Sequence, residues 1–282
     1  MILKTTTNPL LLAFVCLFVS FTKLQAQSFE AISSAIRVND CNQNELFNTT
    51  GSGTRLLGPS ANVFDNSNLG VFTQNSGTLT IGGAAVLTHK EALANVCNVR
   101  LYYRIYLQNA TPPAYTFFNI TFLEDCDIPN ATFPGGGECV AGDQKWIRTL
   151  PTPINLTARP AGKYILETYY QLTGSTTSTS LCNEVVIVDN GGTPFKSSFA
   201  IQSPVLASNN PTTCNGTEGL ITISGLLTGA DYQVNYTDDG VPVGPVAITA
   251  NGAGQVIING LNAGVYSDFE LLINGCSTDL FT

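Results

Sequence analysis

The sequence predicts an all-β fold arranged as two β-sandwich domains, the second immunoglobulin-like, and three observations carry that expectation. Asn and Thr supply 58 of the 282 residues, and Gly with Pro another 40, a composition suited to strands and turns rather than helices. Strict alternation runs through Val99-Arg-Leu-Tyr-Tyr-Arg-Ile-Tyr-Leu107. It places Val99, Leu101, Tyr103, Ile105 and Leu107 toward a core and Arg100, Tyr102, Arg104 and Tyr106 on the opposite face. Many short apolar runs separated by Gly, Pro and Asn favour a sandwich over a parallel α/β sheet.

In chain order, Lys4 precedes the apolar run Leu10–Phe21, and Thr22 to Ala26 then ends on a small residue. That is the plan of a secretory signal peptide spanning residues 1–26. The run is shorter than the roughly 20 residues needed to cross a bilayer. The expected location is therefore secreted or on the outer cell surface, with no membrane span. Further strands are expected at Thr78 to Ile81, Tyr115 to Phe122, Ile154 to Ala158, Tyr164 to Leu172, Glu184 to Val188 and Phe195 to Ile201. Lys90-Glu-Ala-Leu-Ala-Asn95 alone reads as a helical turn.

A break in composition near Ser203 divides the chain into domains at 27–203 and 204–282. The first segment carries 10 basic and 13 acidic groups, whereas the second has seven acids and no Lys, Arg or His. Pro204 and Asn209-Asn-Pro-Thr-Thr213 mark the junction as turn-like. Strands are expected near Val205, Leu220, Tyr232, Val246, Val256 and Phe269. A sandwich of seven strands requires one more after Cys276, and the sequence stops at Thr282, so the last strand is expected to be cut short.

Ile221-Thr-Ile-Ser-Gly-Leu226, followed by Gly229 and Tyr232, recurs as Val256-Ile-Ile-Asn-Gly-Leu261 with Gly264 and Tyr266. A looser copy is Ile154-Asn-Leu-Thr157 with Gly162 and Tyr164. A strand, a glycine corner and a tyrosine opening the next strand suit a bend whose backbone is satisfied by the phenol. Tyr164 and Tyr266 are read as structural on this ground.

Seven cysteines follow the leader, and exported chains keep such residues mainly as disulfides. Cys214 and Cys276, alone in the second segment, are the expected pair there. Cys126 and Cys139 flank an aperiodic stretch, and Cys97 pairs with Cys182 by elimination. Cys41 is left odd. No two cysteines are spaced as zinc ligands and His89 has no companion, so no metal and no cofactor are expected.

The formal net charge is -8, and loss of the leader makes it -10. This argues against binding to nucleic acid, which needs basic surface. One His and no Gly-x-Ser-x-Gly or His-Glu-x-x-His pattern argue against an enzyme. The Arg100, Tyr102, Arg104, Tyr106 face could lie beside Glu167, Tyr169 and Gln171 if their strands are neighbours. Such a ladder suits stacking on a sugar ring, or else cross-strand stabilisation worth about 0.2 to 1 kcal/mol per contact. Asp125 with Asp127, and Asp238 with Asp239, are read as turn residues rather than calcium ligands.

Asn68-Leu-Gly-Val-Phe72, Leu79-Thr-Ile-Gly-Gly83, Gly142-Asp-Gln-Lys-Trp146, Ala161-Gly-Lys-Tyr-Ile-Leu-Glu167 and Asp189-Asn-Gly-Gly192 resemble an N-terminal β-domain of large secreted proteins of the Bacteroidota. Asn210-Pro-Thr-Thr-Cys214, Tyr236-Thr-Asp-Asp-Gly-Val-Pro-Val-Gly244 and Asn259-Gly-Leu-Asn-Ala-Gly264 are similar to immunoglobulin-like repeats of adhesin-type proteins exported by the type IX route. The resemblance implies a non-catalytic surface module, with an extracellular glycan or protein as partner. It carries over no catalytic residue. Proteins of that kind continue to a sorting domain, so the chain is expected to be part of a longer one.

Overall fold

The computed structural model describes residues 28–42, 44–50, 54–57, 62–91, 93–126, 131–132 and 138–280. The expected leader, residues 1–26, lies outside them, as does Asp127. The fold is all-β, with 62% strand and 1% helix. In chain order the elements are β1 (Phe29–Asn39), β2 (Asn44–Asn48), α1 (Thr54–Leu57), β3 (Asn68–Thr73), β4 (Thr80–Lys90), β5 (Asn95–Leu107) and β6 (Thr116–Ile120). They continue as β7 (Phe122–Asp125), β8 (Ala131–Thr132), β9 (Glu138–Cys139), β10 (Asp143–Asn155), β11 (Gly162–Ser175), β12 (Glu184–Val188) and β13 (Phe195–Gln202). Beyond Ser203 come β14 (Val205–Asn209), β15 (Gly219–Ser224), β16 (Asp231–Asp238), β17 (Val241–Thr249), β18 (Val256–Leu261), β19 (Tyr266–Ile273) and β20 (Cys276–Leu280).

Before Ser203 two sheets enclose one core. The first runs β2-β1-β4-β10-β7, and the second β3-β13-β11-β5-β6 with β12 also on β11. Ile36, Ile81, Val86 and Trp146 of the first meet Val99, Leu101, Leu166, Tyr170 and Leu172 of the second. The outer face of the first sheet is covered as well, because Leu56 and Leu57 of α1 and Cys126 pack on Ala35, Ala85 and Leu87. A strand buried on both faces reads as a continuous apolar run, which accounts for Ala84-Ala-Val-Leu87 in β4.

Gly83 makes that run possible. Its φ is +149°, and a Cβ there would stand 1.9 Å from the Arg148 carbonyl oxygen. Both neighbours of β4 slip register nearby, between Arg37 and Val38 on β1 and between Thr149 and Ile154 on β10. The bulge changes which parity faces inward: Leu79 and Ile81 lie in the core before it, and Ala84 and Val86 after it.

Beyond Ser203, sheets β14-β15-β18 and β17-β16-β19-β20 close on a second core of Ile221, Ile223, Tyr232, Val234, Val256, Phe269 and Leu271. Among the described residues no sheet joins strands from the two sides of Ser203. The seventh strand of this part is the five-residue β20, paired to β19 from Ile273↔Cys276 to Phe269↔Leu280.

The glycine corners repeat in structure as they do in sequence. Gly225 and Gly260 take φ of +75° and +74°. The Tyr164 hydroxyl donates to the Pro160 carbonyl at 2.9 Å, and that of Tyr266 to the Asn262 carbonyl at 3.3 Å. Tyr232 goes further: its oxygen accepts the Leu227 N–H at 3.1 Å and its proton reaches Gln202 Oε1 at 2.5 Å.

Three expectations are corrected. Lys90 ends β4 and Asn95 opens β5, with the Ala94 N–H on the Glu91 carbonyl at 2.8 Å between them, and the described helix is α1. Leu107, expected in the core, is the last residue of β5 and is 46% exposed. Cys276 pairs with Cys41, not with Cys214, which is a free and exposed thiol.

The reason for that pairing is topological. The pairing Val205↔Ser224 and the bond from the Ser203 N–H to the Gly225 carbonyl hold one end of β14 and β15 at the junction, so their connection, with Cys214, lies at the far end. The β19–β20 hairpin instead abuts the first domain. Asn42 Nδ2 donates to the Asn274 carbonyl at 2.7 Å, and the hydroxyls of Thr73 and Thr278 meet at 2.7 Å. Cys97 and Cys182 are bridged, with Cα atoms 6.0 Å apart. Cys126 is also disulfide-bonded, and the side chain of Cys139 lies outside those described.

Candidate functional site

The ladder forms because β5 and β11 are antiparallel neighbours with Arg104 opposite Glu167, Tyr102 opposite Tyr169 and Arg100 opposite Gln171. Alternation then puts all six side chains on the outer face of the second sheet. The β5–β6 hairpin adds Phe117 opposite Tyr102 and Asn119 opposite Arg100, while β13 adds Lys196 opposite Glu167.

Glu167 is the hub. Its side chain is 1% exposed, and it accepts from Arg104 Nη2 and from the Tyr106 hydroxyl, each at 2.5 Å, and from the Tyr115 hydroxyl. Lys196 Nζ stands 3.8 Å away. Burial alone raises the Glu167 pKa, but the bonds from Tyr106, Tyr115 and Arg104 outweigh it and hold the carboxyl below its ordinary range. Burial, then the bond to a carboxylate, pushes Tyr106 up to about 12. Tyr115 is raised by the same causes in the same order.

The rings stack mainly on one another. Tyr102 and Tyr169 lie parallel within 4° with centroids 4.8 Å apart. Tyr115 and Tyr169 meet at 81° with centroids 4.8 Å apart, and Phe117 tilts against Tyr102 at 5.1 Å. Arg100 sits 4.8 Å over Phe117, and Arg104 4.2 Å over Tyr115, both within cation–π range. One face each of Tyr102 and Tyr169 is thereby taken by the other ring. What the ladder offers outward is ring edges, the 47% exposed Phe117, and the polar heads of Arg100, Asn119 and Gln171.

Sequence reasoning found Arg100, Tyr102, Arg104, Tyr106, Glu167 and Tyr169 but missed Tyr115, Phe117 and Lys196 as members. The turn-rich stretch with Pro112-Pro113 between β5 and the strand expected from Tyr115 was the usable signal for the first two, since a hairpin folds the next strand back onto β5. The parity of Tyr115 and Phe117 then follows.

The remaining candidates have local roles. His89 Nδ1 meets Asp143 Oδ1 at 2.8 Å, and Arg55 pairs with the same carboxylate, whose side chain is fully buried. Asp125 accepts from Gln144 Nε2 at 2.8 Å and lies 3.6 Å from Lys90 Nζ. Asp239 takes the Val265 N–H at 2.7 Å from a hairpin turn. Among the described residues no three His, Cys, Asp or Glu side chains are grouped as metal ligands. A separate cleft of about 760 Å³, with Leu206, Pro211, Leu261, Tyr266 and Phe269 in its walls, opens between the sheets of the second part. No carboxylate, imidazole, thiol or amine lines it.

The disulfides fit an extracellular or secreted protein. Among the described residues no helix is long and apolar enough to cross a membrane. No protein-family model matches the chain, and no curated protein matches it. Among solved structures it is similar to native alpha-2-macroglobulin from Escherichia coli spanning domains NIE-MG1. That likeness covers 77% of this chain and 97% of the other at 11% identity, with a TM-score of 0.20. An overlap so loose carries no argument about fold or function.

Proposed function

We propose that the chain is a non-catalytic, secreted or cell-surface interaction module of the adhesin type, whose second sandwich is immunoglobulin-like and whose contact surface is the outer face of the β5–β11 sheet. The observation that carries this reading is the state of Glu167. Its side chain is 1% exposed and accepts from Arg104, Tyr106 and Tyr115, so its oxygens are engaged by fixed donors within the sheet. The cluster is therefore read as a rigid, preorganised platform. The resemblance to Bacteroidota surface proteins, and the export and boundary readings near Ser203, belong to the same proposal.

Carbohydrate binding is the second reading, favoured by the open face of polar heads beside Phe117. It departs from ring stacking on Tyr102 and Tyr169, which already stack on each other, and puts the weight on Arg100, Asn119, Gln171 and Phe117. A glycan array with the intact protein and with Arg100→Ala and Phe117→Ala separates the two readings. Binding lost in both surface variants, with melting unchanged, supports a glycan partner. Absence of binding to every glycan, with retention of a protein partner, supports the first reading. Turnover of a polysaccharide abolished by Glu167→Gln would overturn both.

A further inference from the structure

The Cys41–Cys276 bridge closes a loop across 235 positions, and that loop contains nearly everything the protein folds. We propose that the bridge makes the chain a tension-bearing unit, in which force applied between its two ends bypasses both sandwiches. The covalent path from Ser28 follows β1 to Cys41, crosses to Cys276 and leaves along β20 to Leu280. The elements from β2 to β19 hang from this path as a closed loop and carry none of the load.

The path also has little slack. Strands β1 and β20 are already extended, at about 3.3 Å per residue against a chain limit of about 3.6 Å. Strand β1 is gripped on one side by β4 and along its second half by β2 on the other, and β20 is paired to β19. The bridge has one buried half and one open half. Cys276 is 5% exposed and belongs to the first core, Asn42 and Asn274 bond beside it, and Cys41 is exposed. Attack by a thiolate needs access to a sulfur, so the bypass can be opened by reductant from the Cys41 side while both sandwiches are folded. Inside the large loop, Cys97–Cys182 closes a second one spanning 85 positions, which limits how much chain can extend once the outer bridge is cut.

Single-molecule stretching of the oxidised protein, with handles joined at residues 28 and 282, tests this directly. The expected trace releases at most the roughly 20 residues outside the bridge, under about 70 Å of contour. The Cys41→Ser, Cys276→Ser double variant should instead lengthen by about 500 Å, because the 235 positions less the 85 still closed by Cys97–Cys182 become extensible. Full reduction should raise this to about 800 Å. If the double variant does not fold, as judged by loss of its strand circular dichroism, reduction of single oxidised molecules under load supplies the comparison. Steps of several hundred ångströms from the oxidised wild type, or equal extension before and after reduction, would overturn the proposal.

Discussion

At the scale of residues, hydroxyl groups and one carboxylate decide more than size does. The three corner tyrosines form a graded series. Tyr232 is 1% exposed, and its hydroxyl serves both Leu227 and Gln202, so Tyr232→Phe strands two buried groups and should cost about 2 kcal/mol. Tyr164→Phe loses one good bond to Pro160 and should cost about 1 kcal/mol, and Tyr266→Phe, with a longer and exposed bond, less than about 0.5 kcal/mol. Denaturant midpoints with unchanged slope measure the order, and a Tyr266 effect as large as that of Tyr232 would refute it. Glu167→Gln removes the partner of Arg104, whose side chain is 22% exposed, and should cost about 2–3 kcal/mol. The pH dependence has a definite sign. The folded pKa of Glu167 lies below the ordinary carboxyl value of 4.5, so its stabilisation is full above that value and is lost as pH falls through the folded pKa. Tyr106 is raised from 10.0 to about 12; its contribution is full below pH 10 and is lost between the two values. Wild-type stability should therefore fall at both extremes, and Glu167→Gln should flatten the acid limb in pH-resolved melts.

At the scale of elements, what the sequence disclosed depended on whether a strand buries one face or two. Strands β5 and β11 cover the core with one face and show the other to solvent, so their period of two was readable and the ladder with it. Strands β1 and β4 are covered on both faces and broken by bulges, so no clean alternation survived in Phe29–Asn39, and β4 was legible only at its two ends, at Thr78 to Ile81 and in the Ala85, Leu87, His89 alternation. Ser33 and Ser34, both fully buried in β1, further disguise it; Ser34 Oγ meets Thr49 Oγ1 at 2.7 Å. The Gly82-Gly83 pair was the visible trace of the bulge. Gly83→Ala would drive a methyl into the Arg148 carbonyl from a backbone conformation that L-residues avoid, and it should cost more than about 2 kcal/mol. Gly229→Ala is the control: its φ of +74° strains a side chain too, yet no atom lies within 4 Å of the added Cβ, so the loss should stay near about 1 kcal/mol. Equal losses in thermal melts would mean that steric contact at the bulge contributes nothing.

At the scale of the whole molecule, the pairing of Cys41 was invisible because it depends on how two separately patterned segments meet. Loop-closure reasoning within the second segment favoured Cys214, and only the junction brings Cys41 and Cys276 to a Cα separation of 5.5 Å. That junction is built from both sides. Val71 and Ala200, from before Ser203, sit in the second core, Cys276 sits in the first, and Tyr232 bonds Gln202 across the boundary. These contacts are few, and inter-domain contacts of such extent leave each part free to unfold alone unless something else ties them. The tie is the disulfide, whose loop removes chain entropy from the unfolded state worth about 5 kcal/mol. The oxidised protein should therefore melt in one calorimetric transition, the stability of each sandwich being shared with the other through the bridge. Cutting it with Cys41→Ser and Cys276→Ser should split the melt in two. The part beyond Ser203 should unfold first, since the smaller domain buries the smaller fraction of its surface. A single unshifted transition in the double variant would show that the non-covalent junction alone couples the two sandwiches, and would assign that work to Tyr232, Gln202 and their neighbours.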